Sequence, residues 1–420
     1  NIEVSAIAEN LRVDNVLEGS VRRDGEELRI TAKLLEAQNG FQLWSKIFHR
    51  NIDDVFEVQK EIAESVATAL SIRLEVGSLG AIPGGTSSIE AFERYLHAMS
   101  LFKEFSTESM LEGIALLKQA VEIDPNFANA WLWLAQFYKM ASLSVDNRVN
   151  LNWLQLSEEA LDQARLINPE LRALLGMDVN KFTHNRQWFE VEVVMNGAGP
   201  METSLDADLI FFYGIFLVHV GRIDEAVSML ERYRLLDPMA AHGARMLGHA
   251  YLSAGRSGDA LNEYEQAWAL DNVIRSLGSY EGLTAALVTG DRREILKWLE
   301  RAIEFSNDRG LKFFETMMQN LGDPQAALQW LRDTYERAEP ENLDGLIAVW
   351  AAYFGSTDLA IDALTRSPES WSLWTPLMRD VRQRPEFKYI AKELGLFDYW
   401  QAYTWADTCR PVGEEDLECI

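Results

Sequence analysis

One short motif returns along the chain at near-constant spacing, and it limits the fold more than any other feature. Gly-Arg-Ile-Asp-Glu-Ala begins at Gly221, Gly-Arg-Ser-Gly-Asp-Ala at Gly255 and Gly-Asp-Arg-Arg-Glu at Gly290. Gly-Asp-Pro-Gln-Ala-Ala follows at Gly322 and Gly-Ser-Thr-Asp-Leu-Ala at Gly355, giving intervals of 34, 35, 32 and 33 residues. A second marker closes units: Asp124-Pro125, Asn168-Pro169, Asp237-Pro238 and Asp271-Asn272, whose second residues lie 44, 69 and 34 apart. These values read as one unit with ten inserted residues, a double unit and a single one. A period of this length, with two helices and short turns in each unit, is the mark of a repeat array. No unit can bury its apolar face alone, so each must stack on its neighbours in one continuous elongated body. About seven or eight such pairs fit between Ser88 and Pro368.

Residues 241–274 resemble the tetratricopeptide repeat position by position. Leu247, Gly248 and Tyr251 stand at its first-helix positions, and Ala260, Tyr264 and Ala267 at its second-helix positions. The physics agrees: Gly248 and Ala260 let paired helices approach closely, Tyr264 and Ala267 pack against the next unit, and Gly255 turns the chain. The unit at 128–169 keeps Trp131, Leu134 and Tyr138, has Ala135 in the small position, and inserts a polar segment from Ser142 to Asn150. Around Gly290 and Gly322 the closing proline is missing, Ile295 takes a small-residue place, and Gly176 to Pro200 is poorly patterned. The expected fold class is mostly α, a distorted tetratricopeptide-like α-solenoid preceded by a small α/β domain.

That front domain spans residues 1–76. Ile2 to Leu11 has helical spacing, Asp14 to Arg22 reads as a strand, and Glu27 to Leu35 alternates as a second. Arg23-Asp24-Gly25-Glu26 is a turn, Asn39-Gly40 a hairpin signal, and Phe41 to Phe48 a third strand. Asp53 or Asp54 caps a helix running to about Arg73. Three strands and two helices are marginal for a free domain, so the unit is expected to be incomplete at its start. Residues 77–88, with four glycines, read as a linker, residues 89–370 as the repeats, and 371–420 as a terminal helix and aromatic, acidic tail.

Composition narrows function. Of 420 residues, 65 are Asp or Glu and 39 Lys or Arg, a formal charge of −26 that repels phosphate backbones and argues against nucleic acid as partner. The longest apolar run, Leu209 to Val220, is too short to span a membrane. Six histidines are scattered; His242 and His249 share a helix face, with no third ligand at a supporting spacing. Asp206 and Asp208 precede a helix and read as caps. There is no nucleophile elbow, zinc motif or dinucleotide fingerprint, so no catalytic, cofactor or metal site is expected. Most of the 13 tryptophans should fill seams between helices, while Trp131, Trp133 and Tyr138 are candidates to line a groove. The partner expected there is a protein or peptide, favoured if its face is basic; a homodimer is also open. Residues 381–397 carry one more amphipathic, locally basic helix. Cys409 and Cys419 are the only cysteines; bridged, they close a small loop worth about 2–3 kcal/mol. A reduced pair is the alternative, but two cysteines gathered at one end suit an oxidising compartment.

The run VDNVLEGSVRRDGEELRITAKLLEAQNGFQLWSKIFHRNIDDVFEVQKEIAESVATAL, Val13 to Leu70, resembles a recurring bacterial module similar to the amino-terminal domain of TolB. That module occurs upstream of tetratricopeptide repeats in proteins similar to class III adenylate or guanylate cyclases and to CadC-like winged-helix regulators. The tail CRPVGEEDLEC, Cys409 to Cys419, resembles those of membrane-anchored members. The resemblance implies the sensory or regulatory half of a signalling protein, its output domain upstream and further strand and helix before residue 1. It implies a periplasmic place if a membrane span separates the halves; some relatives are soluble, which leaves a cytoplasmic alternative. None of the cyclase's metal- or nucleotide-binding residues has a counterpart here. The competing expectations are an enzyme with its site at the junction of front domain and repeats, or an envelope assembly scaffold.

Overall fold

A computed structural model describes residues 13–25, 27–36, 42–51, 54–69, 84–102, 107–144, 152–199, 201, 204, 206–270, 274–306, 308–337 and 343–420. The chain divides into two compact units, residues 1–171 and 172–420.

Unit 1 opens with an antiparallel sheet of β1 (Asn15–Asp24), β2 (Glu27–Glu36) and β3 (Gln42–Asn51), in that order. Gly25 takes φ +64°, the left-handed conformation that returns β1 to β2. Alternation then sends Ala32 and Phe48 to one face, where they meet Val58 of α1 (Val55–Ala69) in a small core. The third strand runs past Phe48 to Asn51, because Arg50 and Asn51 still find Leu28 and Glu27 as partners on β2. The helix expected at 2–11 and the Asn39-Gly40 turn lie outside the described residues, as does most of the expected linker.

Two helix pairs follow: α2 (Ile89–Phe102) with α3 (Thr107–Ile123), and α4 (Ala128–Ser144) with α5 (Trp153–Ile167). Ser88 caps α2 by accepting from the Ala91 amide at 3.3 Å, and Thr86 donates to Asp124 at the end of α3. Gly113 admits the Phe137 ring so closely that a Cβ would overlap it, which draws α3 onto α4 over a core of Leu117, Phe127 and Phe137.

Among the described residues, unit 2 holds six more pairs, so a mostly helical tetratricopeptide-like solenoid follows the small sheet. They are α6 (Ala173–His184) with α7 (Trp188–Ala198), α8 (Ala207–Val220) with α9 (Ile223–Leu236), and α10 (Ala241–Ser253) with α11 (Ser257–Leu270). Then come α12 (Ile274–Thr289) with α13 (Arg292–Glu304), α14 (Asp308–Gln319) with α15 (Pro324–Arg337), and α16 (Asp344–Tyr353) with α17 (Thr357–Arg366). The poorly patterned stretch from Gly176 to Pro200 is thus mainly helical. Its α7 shows weak amphipathy because Trp188 is covered by the chain's last segment as well as by the solenoid.

A strict spacing underlies the pairing. Gly214, Gly248 and Gly282 lie 34 apart on successive first helices, and a Cβ on each would crowd Leu230, Tyr264 and Trp298, which are also 34 apart on the second helices. Gly221, Gly255, Gly290 and Gly355 turn the chain at positive φ. Gly322 does not share that geometry; there Asp323 caps α15, accepting from the Ala326 amide at 3.1 Å.

The single helix expected over 381–397 is replaced by three short ones, α18 (Arg379–Arg382), α19 (Phe387–Glu393) and α20 (Leu396–Ala402). Pro385 lies in the first break, and Gly395, at φ +69°, makes the second. The chain ends in a hairpin of β4 (Cys409–Val412) and β5 (Asp416–Cys419), whose register sets Cys409 opposite Cys419 in a disulfide.

Candidate functional site

The first helices of unit 2 touch in series, α6 to α8, α8 to α10 and α10 to α12, and α12 also reaches α16, two pairs on. A row of pairs can make that last contact only by curling with its first helices inside. The inner face so formed would ordinarily be the binding groove of such an array. Here it is filled by the chain itself.

Residues 369–374 run across it as a strap. His249 of α10 lies flat on Trp371, ring centroids 3.9 Å apart, and its Nε2 donates to the Trp371 carbonyl at 3.0 Å. The Trp371 Nε1 donates to the Glu281 carboxylate of α12 at 3.1 Å, and Arg245 of α10 pairs with the same oxygen. His219 of α8 meets the Ser370 hydroxyl at 2.7 Å, and the Glu369 carboxylate accepts from the Trp371 amide at 2.7 Å and the Ser372 amide at 3.2 Å. At the end of the strap Trp374 Nε1 donates to His219 O; beyond it Trp400 Nε1 donates to Val220 O at 2.8 Å, and Trp188 Nε1 of α7 donates to Leu394 O at 2.8 Å. Each indole thus buries its apolar body and satisfies its one donor on a carbonyl. Gly221 closes the arrangement: its carbonyl accepts from Asp407 N, and a Cβ there would strike Ala406 and Trp374.

Burial sets the electrostatics. It drives His249 down to about 3 and His219 down to about 4, so both are neutral hydrogen-bonding rings at ordinary pH. It also raises Glu281, against the opposing pull of Arg245 and Trp371. Farther along, Arg222 pairs with Glu192 at 2.9 Å and also donates to Tyr399, whose hydroxyl donates to Glu192. Burial and that carboxylate push the Tyr399 phenol well above its usual range.

The other candidates are spread through the molecule. In unit 1, Trp131 Nε1 donates to Pro125 O at 3.0 Å, and the half-buried Trp133 meets Phe102 edge-on at 5.2 Å and hydrogen-bonds Tyr95. Tyr138 is 7% exposed and sits 5.8 Å from Trp153, in the seam between α4 and α5. In unit 2, Tyr251 donates to Glu231 at 2.7 Å with Arg256 over its ring, while Ala260, Tyr264 and Ala267 are buried. His242 bonds the Tyr233 hydroxyl and His249 the strap, so this pair does not converge on a shared point. Among the described residues, no group of three or more His, Cys, Asp and Glu is placed to hold a metal, and no helix is long and apolar enough to cross a membrane. Asp206 caps α8 through the Leu209 amide. The strap is the feature that sequence reasoning missed. Its only signal was the crowding of Trp371, Trp374, Trp400 and Trp405 at one end.

Comparison with known proteins places a tetratricopeptide repeat model on residues 116–159. Over 129 residues, 30% of the chain, the sequence is 30% identical to a putative adenylate cyclase of Rhizobium meliloti, covering 22% of that protein. Over 277 residues, 62% of the chain, it is 24% identical to the transcriptional regulator HilA of Salmonella typhimurium, covering 47% of it. The chain therefore spans less than half the length of either relative. Among solved structures, it is similar to PilW, a type IV pilus biogenesis factor, at 17% identity and TM-score 0.37, over 57% of this chain and 98% of that one. It is also similar to human IFIT1, bound to m7Gppp-AAAA, at 14% identity and TM-score 0.43, over 82% and 76%. The chain is a helical-repeat protein that carries a tetratricopeptide repeat over residues 116–159.

Proposed function

We propose that this chain is the non-catalytic, protein-binding and regulatory region of a bacterial signalling protein, serving a cyclase or transcriptional output domain carried elsewhere in the same protein. The observation that carries this reading is the pair of relatives: one is described as a cyclase and the other as a transcriptional regulator, and each extends well beyond the stretch matched here. An input region would account for relatives whose names give two different outputs. The partner is a protein or peptide rather than nucleic acid, in keeping with the charge of −26. With the inner face of unit 2 filled, the docking surface belongs to unit 1, where Trp131 and Trp133 are only partly covered. The Cys409–Cys419 disulfide supports an oxidising, periplasmic setting.

The gene on either side of these residues provides the test. A cyclase or winged-helix domain in the same reading frame is the expected finding. An export signal with no further domain would overturn the reading and favour an envelope assembly scaffold, for which the disulfide also speaks. The signalling reading further predicts that Trp131→Ala with Trp133→Ala alters output in the full protein without unfolding unit 1.

A further inference from the structure

One residue of unit 2 breaks the rule by which the repeats turn. Arg186, between α6 and α7, sits at φ +57° and is the one non-glycine at positive φ among the described residues. It lies 35 residues before Gly221 and takes that glycine's place in the turn. The Arg186 amide donates to Thr183 O at 3.1 Å and the Gln187 amide to Phe182 O at 2.8 Å. In the same way the Gly221 amide donates to Val218 O at 3.1 Å and the Arg222 amide to Leu217 O at 2.9 Å. An L side chain is strained in that conformation, and glycine is not. What the arginine adds is reach: its Nη2 donates at 2.8 Å to the carbonyl of Pro368, 182 residues on, where the chain leaves α17 for the strap.

The strap itself is held in the manner of a docked peptide. Among the described residues, no hydrogen bond between main-chain groups joins 368–374 to a first helix. The amides of Trp371 and Ser372 are taken by the strap's own Glu369, which preforms its turn. Contact with the groove runs through side chains of α8, α10 and α12, namely His219, Arg245, His249 and Glu281. Titratable groups are a costly lining for a permanent seam, because each must be stripped of water. The strap does not match them fully: Arg245 Nε, His249 Nδ1 and Glu281 Oε2 are buried with no partner among the described residues. Behind it the seam changes character. Leu373 and Trp374 are at most 1% exposed, whereas Trp371 is only partly covered.

We propose that residues 367–372 are a releasable plug, latched by Arg186, over a groove that takes an extended polypeptide presenting an indole. The segment seated there defines the chemistry: a flat ring on His249 whose N–H reaches Glu281, and one residue earlier a hydroxyl at His219. Leu373 and Trp374 stay in place as the anchor. The free chain is closed, because its own segment competes at an effective concentration on the order of 1 mM. This latent site is separate from the partner surface proposed on unit 1, and its test does not depend on that reading.

The probe is a fluorescein-labelled peptide with the sequence of residues 367–372, beside a twin with alanine in place of its tryptophan. The unaltered chain should show no saturable binding of either below about 1 mM. Trp371→Ala removes the ring of the chain's own plug and should bind the tryptophan peptide with a half-point on the order of 100 μM. The alanine twin should bind it at least about tenfold more weakly. A second arm needs no peptide. Arg186→Gly suits the φ of the turn and removes the latch, so the amides of 369–372 should exchange roughly fivefold faster while α10 is unchanged. Saturable binding by the unaltered chain would overturn the plug, and no binding, or equal binding of the two peptides, by Trp371→Ala would overturn the groove. Unchanged exchange of 369–372 in Arg186→Gly would overturn the latch.

Discussion

At the scale of single residues, two glycines of the same motif do different work. Gly221 and Gly255 both sit at positive φ, +82° and +76°. Gly255 has open space where a Cβ would go, whereas Gly221 is pressed against Ala406 and the Trp374 ring. Gly255→Ala should therefore cost about 1 kcal/mol, the backbone term alone. Gly221→Ala adds overlap with a packed indole and should cost about 3 kcal/mol or more. Urea unfolding of the two variants checks the order, and equal losses would show that the last segment does not press on Gly221. The histidines make a second prediction. Unfolded, His219 and His249 titrate near 6.5; folded, near 4 and near 3, so the unfolded chain holds more protons between those limits. Their stabilising share is complete above pH 6.5 and declines as pH falls toward about 4 for His219 and about 3 for His249. Each unit inside that window costs up to about 1.4 kcal/mol per histidine. The groups facing them temper the result: His184 and Arg186 near His219, and Arg245 near His249, act in the same direction, while Glu281, raised by burial, opposes it. Unfolding midpoints should fall from about pH 7 to about pH 5, and fall less in His219→Asn. An unchanged midpoint would contradict the neutral, buried rings.

At the scale of elements, the repeats were legible and the strap was not, for one physical reason. Helix pairs are local, so the 34-residue recurrence of Gly221 and Gly255 and the residues around Gly248 announce them directly. The Gly214, Gly248 and Gly282 series, with its partners Leu230, Tyr264 and Trp298, was equally available as a spacing. By contrast, Trp371 meets His249 and Trp400 meets Val220 across more than a hundred residues, and no period encodes such a contact. The single helix expected over 381–397 does not form because Pro385 and Gly395 interrupt an apolar spacing that is otherwise continuous. The front sheet shows the opposite case: its strands follow simple alternation, and pairing with β2 sets the extra length of β1, which runs through Arg23 and Asp24, and of β3. The strap makes a prediction of its own. Trp374→Ala empties a fully buried site touching Gly221 and Trp400, and should cost about 3–5 kcal/mol by thermal or urea unfolding. A loss below about 1 kcal/mol would mean that the segment is an appendage rather than part of the core.

At the scale of the whole molecule, the central claim is that unit 2 supplies its own groove ligand. A tetratricopeptide array normally offers its inner face to a partner; here residues 369–374 occupy that face, and α20 and the terminal hairpin pack in behind them. The resemblance of residues 13–70 implies a signalling protein, and with partial matches covering 22% of a putative cyclase and 47% of HilA that role stays the proposal made above. The charge and the cysteines bear on partner and compartment, while the strap decides where a partner has room to bind. Hydrogen exchange measured by mass spectrometry tests this most directly. The amides of residues 369–374 should exchange as slowly as those of α10, the helix whose His249 lies on Trp371. Complete exchange of 369–374 at the earliest time, while α10 stays protected, would show an open groove and contradict it.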